Sequence, residues 1–174
     1  LAHADPAADL PAPLLAFEAS TRIVGPGGER TLPVEKLFTA ILTTALAPDE
    51  VLADVMLPAP PPGSGSAYVK FPHPASRFAV AGVAAVLTLD ASGACRRARM
   101  GVTGAAATAT RARAAEAAME GGPVTADRIA AAAERAADRL DCLGDLVASP
   151  EYRAHLTRVL ARRALTAAAE RARR

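Results

Sequence analysis

The sequence is short of large aromatic side chains. It has no tryptophan, two tyrosines and four phenylalanines, although 51% of its residues are hydrophobic. Much of that hydrophobic content is alanine, the residue with the highest intrinsic helix propensity. We therefore expect a core of small side chains and alanine-rich helices. The 174 residues suffice for one ordinary domain, or for a small domain and part of another.

The sequence also lacks the groupings of cysteine and histidine that hold metal ions. Cys95 and Cys142 lie far apart, and neither belongs to a CxxC motif, so neither a zinc site nor a disulfide framework is indicated. His3, His73 and His155 are equally isolated. We therefore expect two free thiols, as is usual in a cytoplasmic protein, and assign no metal ligand and no catalytic residue.

Neither charge nor hydropathy indicates a nucleic acid or a membrane as partner. The formal net charge is +2, and arginine is locally in excess only at residues 162–174, where cations favour a helix C-terminus through the helix dipole. Binding to a phosphate backbone requires a concentrated basic face. No apolar run approaches the roughly 20 residues that span a bilayer, and no signal peptide is visible.

The first 57 residues predict a series of short elements. A turn and a short helix near Leu14 precede a hairpin, whose strands at 20–24 and 29–32 flank a glycine-rich turn. One helical turn is predicted at 34–38. A half-buried strand follows, because apolar residues alternate with period two at Val51, Ala53, Val55 and Leu57. The proline-rich run at 58–66 suits neither a helix nor a strand, and predicts a domain junction.

The rest of the chain predicts strands first and helices afterwards. Three strands and then three helices are expected at 66–71, 77–90, 94–104, 108–119, 126–140 and from 150 onward. Thr125 is the expected N-cap of the second helix. This order predicts the α+β class, with a three- or four-stranded antiparallel sheet packed against three helices. Residues 79–89 should form a central strand, with the helix at 151–168 packed over the sheet.

Few residues carry a chemical signal by themselves. Asp5 and Asp9 are four residues apart, so on a helix both carboxylates would face one way, for acid–base work or for a cation. Pro6 and Pro11 argue against a regular helix and favour two solvated or capping aspartates. Lys70 lies in an apolar strand, which favours an edge-strand lysine whose ammonium reaches solvent. These patterns alone indicate an α+β domain and reveal no enzyme.

The order of several segments resembles that of a known family. The segments are AHADPAADLPA, the glycine-rich hairpin, TALAPDEVLADVMLP, SAYVKF and RFAVAGVAAVLTLD. They follow one another as in the flavoprotein, or medium, subunit of the xanthine dehydrogenase and aerobic carbon monoxide dehydrogenase family. Residues 111–121 resemble the family's "RA..AE..L.G" helix, with Met119 in the leucine position, and residues 149–165 resemble its closing "S..YR..L..VL..RAL" helix. The resemblance covers nearly the whole chain.

The resemblance implies an oxidoreductase subunit that transfers electrons. In this family, FAD accepts electrons that leave a molybdenum cofactor through iron–sulfur clusters, and passes them to an external acceptor. The molybdenum cofactor belongs to a large partner subunit and the clusters to a small one. FAD performs the redox chemistry, while the protein supplies position and electrostatics.

Six positions match residues that the family places at the cofactor. They are Asp5 and Asp9 of the DPxxD segment, Leu46 as an upstream packing contact, Leu52 of the "DE-x-L" strand, Lys70 of the "Y-x-K" strand, and Phe78 as an aromatic near the isoalloxazine. A cation near the ring favours reduced flavin, which is a physical reason for a lysine.

The resemblance also implies a domain division. Residues 1–58 match the tail of an FAD-binding domain and a linker, and residues 64–174 match the C-terminal flavoprotein domain. The first residue is Leu1, and the family's glycine-rich pyrophosphate segment has no match, so we expect a longer protein whose isolated fragment binds FAD poorly and is inactive. The alternative is a non-enzymatic α+β module that docks on partner subunits.

Overall fold

The computed structural model describes residues 1–174 and contains four α-helices and three antiparallel β-sheets. The helices are α1 (Pro11–Ala16), α2 (Arg113–Met119), α3 (Ala126–Glu134) and α4 (Pro150–Ala172), with 3-10 turns at Val34–Lys36 and Arg135–Ala137. The strands are β1 (Ser20–Gly25), β2 (Gly28–Pro33), β3 (Phe38–Ala40), β4 (Thr43–Thr44), β5 (Val51–Met56), β6 (Ser64–Pro72), β7 (Ala79–Leu89), β8 (Cys95–Thr103) and β9 (Thr110–Arg111). None of the helices combines the length and apolar character that crossing a bilayer requires.

The largest sheet has four antiparallel strands in the order β6, β7, β8, β9. Strand β7 pairs with β6 along one edge and with β8 along the other, and nearly all of its residues are buried. Helix α4 packs against both β6 and β7. The predicted central strand, the helix over the sheet and the α+β class are therefore confirmed.

Both faces of this sheet are covered, because successive side chains of a strand point to opposite sides. Val83, Ala85 and Leu87 of β7 belong to the main core, which α2, α3 and α4 complete. Ala84, on the other face, packs with Ala12 of α1. Gly101 of β8 lies beside Ala84, and a Cβ there would overlap the carbonyl oxygen of Ala12. The N-terminal helix thus lies directly on the sheet.

The predicted alternation in β5 is wrong in detail because the strand contains a bulge. Arg22 of β1 pairs with Asp54 and the next residue, Ile23, pairs with Leu52, so Ala53 has no partner in the register. The extra residue reverses the alternation between the two sides of the bulge. Leu52 therefore shares a face with the buried Ile23, and Val51 is 65% exposed rather than half-buried.

The structure confirms the predicted start of α3 but not the predicted start of α2. The Thr125 side chain accepts a hydrogen bond from the backbone N–H of Arg128, which confirms the predicted N-cap of α3. The helix predicted at 108–119 is α2, and it begins at Arg113 rather than at Thr108, because Thr110 and the following residue pair with β8 as strand β9. Tyr152, in the first turn of α4, is exposed.

A buried ion pair fixes α2 to the sheet. The Arg111 and Glu116 side chains are 7% and 6% exposed, and Arg111 donates from Nε and Nη2 to the two carboxylate oxygens at 2.9 and 2.5 Å. Glu116 Oε1 also accepts the backbone N–H of Met100 at 2.9 Å. Arg111 Nη1 lies 3.1 Å from Glu18, just beyond α1. One arginine therefore joins the N-terminal segment to the "RA..AE" helix.

A second ion pair fixes the loop between β4 and β5. Arg30 of β2 donates to both oxygens of Glu50 at 2.7 and 2.6 Å, and to the carbonyl of Ala45 at 2.8 Å. Glu50 also accepts the backbone N–H of Ala47. The hydrogen bond from Arg30, and then that from Ala47, lower the pKa of Glu50 from its ordinary value of 4.5 to about 2.

Truncation of Glu116 should destabilise the chain strongly. Glu116→Ala removes the bidentate partner of the buried Arg111 and leaves Glu18 as its only hydrogen-bonded carboxylate, for which we expect a loss of up to roughly 3–5 kcal/mol in the free energy of unfolding. Urea denaturation measures this loss. The matched control is Glu29→Ala, because Glu29 is 59% exposed beside Arg22; it should leave the urea midpoint unchanged. Equal midpoints for the two variants would contradict the structural role of the buried pair.

The Arg30–Glu50 pair should contribute a stability term that depends on pH. Because the folded-state pKa of Glu50 is lowered, this contribution is complete above its ordinary pKa of 4.5 and is lost as the pH falls through about 2. Wild type should be more stable than Glu50→Gln at neutral pH, with the difference shrinking between pH 4.5 and 2. Chemical denaturation across this range measures the difference. A difference that does not depend on pH would show that the Glu50 carboxylate is not the cause.

Candidate functional site

A polar cluster joins the beginning of the chain to strand β6. The Asp9 carboxylate accepts hydrogen bonds from Tyr68 Oη at 2.7 Å and from Lys70 Nζ at 2.6 Å. Tyr68 and Lys70 are two residues apart on β6, so both side chains lie on the sheet face that carries α1. The spacing of the "Y-x-K" motif thus allows both side chains to reach one carboxylate.

The Lys70 ammonium has one unused donor. Besides Asp9, Nζ donates to the carbonyl oxygen of Arg77 at 2.8 Å, and the side chain is 26% exposed. An ammonium carries three N–H donors. Strand β6 lies at the edge of the sheet, as predicted for Lys70. The hydrogen bonds to Asp9 and Arg77 nevertheless hold the ammonium in place. The third donor is free for a bound acceptor.

Tyr68 acts as a donor toward Asp9. Burial, and then the hydrogen bond to Asp9, raise the pKa of Tyr68 well above its ordinary range. The phenol therefore keeps its proton at neutral pH, and Asp9 is the acceptor in both contacts. The Asp9–Lys70 ion pair therefore has no net charge, and the neutral Tyr68 hydroxyl holds Asp9 by a further hydrogen bond.

The turn between β6 and β7 presents the carbonyl of Arg77 to Lys70. The His73 backbone N–H donates to the carbonyl of Phe78 at 2.7 Å, and the Arg77 N–H donates to the carbonyl of His73 at 3.0 Å. His73 Nδ1 accepts the backbone N–H groups of Ala75 and Ser76, both at 3.1 Å. His73 therefore has a structural role in shaping this turn.

A partly apolar cleft of about 420 Å³ lies beside this turn. Its apolar lining includes Phe78, Ile41 and Leu143, and residues of the DPxxD segment also reach it. Phe78 is 52% exposed. Small-molecule sites have volumes of about 300–1,000 Å³ and combine apolar walls with a few polar groups. The volume of this cleft lies within that range.

Asp145 and Arg153 form the polar end of the cleft. Arg153 Nη2 donates to Asp145 Oδ2 at 2.5 Å, and the buried Nη1 donates to the carbonyl of Gly104 at 2.6 Å. The backbone N–H groups of Val147 and Ala148 hold the pKa of Asp145 below its ordinary value, and Arg153 adds to this effect. Both charged groups are thus hydrogen-bonded within the protein, and only the buried Nε of Arg153 has no partner.

The structure brings together only some of the six residues that the resemblance implies. Asp9 and Lys70 form an ion pair, and Phe78 directly follows the residue whose carbonyl binds Lys70. Asp5 instead accepts the backbone N–H of Ala7 and caps its own turn. No grouping of three or more histidine, cysteine, aspartate or glutamate side chains is arranged to hold a metal ion.

Leu46 and Leu52 belong to a different part of the fold. Leu52 lies on β5 opposite Ile23, and Leu46 lies in the loop that Arg30 and Glu50 fix. Neither lines the cleft at Phe78. Ile41, in the turn between β3 and β4, does line the cleft. No sequence signal marked Ile41, since an apolar residue in a short hairpin has no distinctive pattern. Tyr68 did carry a signal, its spacing to Lys70.

Two family models match the chain. The CO dehydrogenase flavoprotein C-terminal domain matches residues 66–168. The FAD binding domain in molybdopterin dehydrogenase matches residues 1–60. Together they cover the chain on both sides of the proline-rich run.

Curated relatives are similar to the chain along almost its whole length. The alpha subunit of the 6-hydroxypseudooxynicotine dehydrogenase complex of Paenarthrobacter nicotinovorans is 38% identical over 99% of this chain and 58% of the relative. The carbon monoxide dehydrogenase medium chain of Hydrogenophaga pseudoflava is 31% identical over 97% of this chain and 58% of the relative. The chain therefore spans less than three fifths of the length of these relatives.

Solved structures share the fold. A carbon monoxide dehydrogenase from Hydrogenophaga pseudoflava, in a form that lacks the Mo-pyranopterin moiety, superposes with a TM-score of 0.92 and 36% identity, over 98% of this chain and 59% of that chain. Quinoline 2-oxidoreductase from Pseudomonas putida 86 gives a TM-score of 0.88 and 26% identity over the same shares of the two chains. Because sequence, fold and the order of the two matched regions agree, this chain belongs to the family of flavoprotein, or medium, subunits of molybdopterin dehydrogenases, which includes those of carbon monoxide dehydrogenase.

Proposed function

We propose that this chain is part of the FAD-binding subunit of a molybdenum hydroxylase, which passes electrons from iron–sulfur clusters through FAD to an external acceptor. The observation that carries the proposal is the ammonium of Lys70, which Asp9 and the carbonyl of Arg77 hold in place; Phe78, the residue after Arg77, lines a partly apolar cleft. The family match over residues 66–168 supports it.

The residues present fit a flavin. An isoalloxazine ring is flat and aromatic, and its pyrimidine end carries carbonyl acceptors. Phe78, Ile41 and Leu143 line the cleft and would supply apolar surface for such a ring. Lys70 does not line the cleft but is bonded to the carbonyl of Arg77, next to Phe78, and its third donor would supply a hydrogen bond for a ring carbonyl. When bound, FAD supplies the redox chemistry by accepting electrons and passing them on.

The protein's own contribution is orientation and charge. Lys70 would hold one edge of the ligand by a charge-assisted hydrogen bond. Phe78 and Ile41 would exclude water from the ring face, which strengthens electrostatic interactions there. Asp9 neutralises most of the ammonium charge at 2.6 Å, so the ligand meets a dipole rather than a full positive charge.

The rest of the assembly is also part of the proposal. We place residues 1–58 in the tail of the FAD-binding domain and its linker, and residues 64–174 in the C-terminal domain. The partners are a large subunit with a molybdenum cofactor and a small iron–sulfur subunit, in the cytoplasm. The names of two relatives, a complex subunit and a medium chain, support a multisubunit enzyme.

A docking module without a cofactor is the weaker candidate, because the match at residues 1–60 is to an FAD-binding domain. We assign Asp9, Lys70 and Phe78 to the FAD site directly, and Asp5, Leu46 and Leu52 through the segments that carry them.

Charge changes in the ion pair should shift the flavin potential in opposite directions. In the full-length subunit, Lys70→Met leaves the Asp9 carboxylate unpaired and should lower the two-electron potential, whereas Asp9→Asn leaves Lys70 unpaired and should raise it. A unit charge about 5 Å from the ring contributes on the order of 3 kcal/mol at an effective dielectric of about 20, before screening. Screening reduces the expected shift to the order of tens of millivolts. Redox titration of the flavin absorbance measures each potential.

Two controls make this experiment specific. The double variant Lys70→Met with Asp9→Asn should return close to the wild-type potential, because the local charge is again neutral. Lys36→Met is the matched single control, since Lys36 is exposed and lies far along the chain in the first 3-10 turn. Unchanged potential and FAD affinity in both single variants, with the fold intact, would remove Lys70 and Asp9 from the site.

A further inference from the structure

The DPxxD segment is held against the ends of β7 and β8 by hydrogen bonds to its backbone carbonyls. The Ala79 N–H donates to the carbonyl of Ala7 at 3.1 Å, and the Gly104 N–H donates to the carbonyl of Pro6 at 2.7 Å. The next carbonyl, that of Ala8, accepts no backbone N–H. Ala8 immediately precedes Asp9, so this carbonyl belongs to the peptide group that positions the Asp9 carboxylate.

The Thr103 hydroxyl supplies the donor for Ala8. Thr103 Oγ1 lies 2.7 Å from the carbonyl oxygen of Ala8 and 2.9 Å from that of Pro6. A hydroxyl has one proton to donate, and Pro6 already accepts the N–H of Gly104. Thr103 is 1% exposed, so water cannot readily replace its hydroxyl. The Thr103 proton is therefore the donor on which Ala8 depends.

Gly82 makes room for this arrangement. It lies between Lys70 of β6 and Thr103 of β8 in the sheet register. A Cβ on Gly82 would lie 2.5 Å from Tyr68 Oη and 3.0 Å from Thr103 Cγ2. The Tyr68 hydroxyl and the Thr103 methyl group consequently lie above one glycine. The Tyr68 hydroxyl binds the carboxylate of Asp9, and the Thr103 hydroxyl binds the peptide carbonyl before it.

We propose that Thr103 is a positioning residue for the FAD site, which fixes Asp9 through the carbonyl of Ala8 and thereby holds the ammonium of Lys70 toward the cofactor. Thr103 acts through Asp9 and does not itself contact FAD. The proposal rests on the proposed function, because it assigns a task to the Asp9–Lys70 pair. We therefore expect the Thr103 hydroxyl, which lies outside the "DPxxD" and "Y-x-K" segments, to affect FAD affinity and the flavin potential.

The test compares Thr103→Val with Thr103→Ser in the full-length subunit. Valine keeps nearly the same shape without the hydroxyl, and serine keeps the hydroxyl. We expect Thr103→Val to weaken FAD binding about tenfold, the effect of losing one ordinary hydrogen bond. Its flavin potential should rise in the same direction as that of Asp9→Asn, because Asp9 neutralises Lys70 less well. Thr103→Ser should retain both properties of the wild type. FAD titration by fluorescence quenching and redox titration measure them.

The outcomes separate this proposal from the one it rests on. If Thr103→Val lowers only the thermal midpoint and leaves FAD affinity and potential unchanged, while Asp9→Asn alters them, the positioning role is refuted and the FAD site stands. If Asp9→Asn and Lys70→Met also leave the flavin unchanged, both proposals fail. Should Thr103→Val not fold, Thr103→Ala against Thr103→Ser gives the same comparison, and equal flavin properties in that pair would refute the role.

Discussion

The Asp9 carboxylate is the point at which the N-terminal segment and the central sheet depend on one another. It lies 61 residues before Lys70 and binds both the ammonium of Lys70 and the hydroxyl of Tyr68. An unpaired carboxylate in a half-buried position would be costly, so the lysine and the tyrosine stabilise the segment. In return, Asp9 keeps the lysine neutralised and oriented. The same contact therefore serves the fold and the proposed cofactor site.

Further contacts hold the N-terminal segment in the place where Asp9 can act. Helix α1 lies on the face of β7 and β8, and Arg111 joins Glu18, just beyond α1, to the buried Glu116 of α2. Residues from both regions that the family models match thus share one set of contacts around the sheet. A site made from both regions can be precise only if they do not move relative to one another. The buried arginine and the close approach of α1 at Gly101 supply that constraint.

The sequence predicted those features that depend on neighbouring residues. The apolar run of β7, the Thr125 cap and the hairpin of β1 and β2 are local patterns, and all three occur. The bulge at Ala53 and the strand at Thr110 depend on pairing with distant strands, which no local pattern reveals. For the site, the family resemblance selected Asp9 and Lys70. Neither their ion pair nor the contribution of Thr103 was predictable, because each joins residues more than 60 positions apart.

The cofactor content of the full-length subunit is the decisive measurement for the proposed FAD-binding role. The subunit would be purified together with the products of its neighbouring genes, and flavin would be released by acid and quantified. We expect stoichiometric FAD, with a visible flavin spectrum that bleaches on reduction together with that of the iron–sulfur clusters. A purified, folded complex that contains no flavin would contradict it.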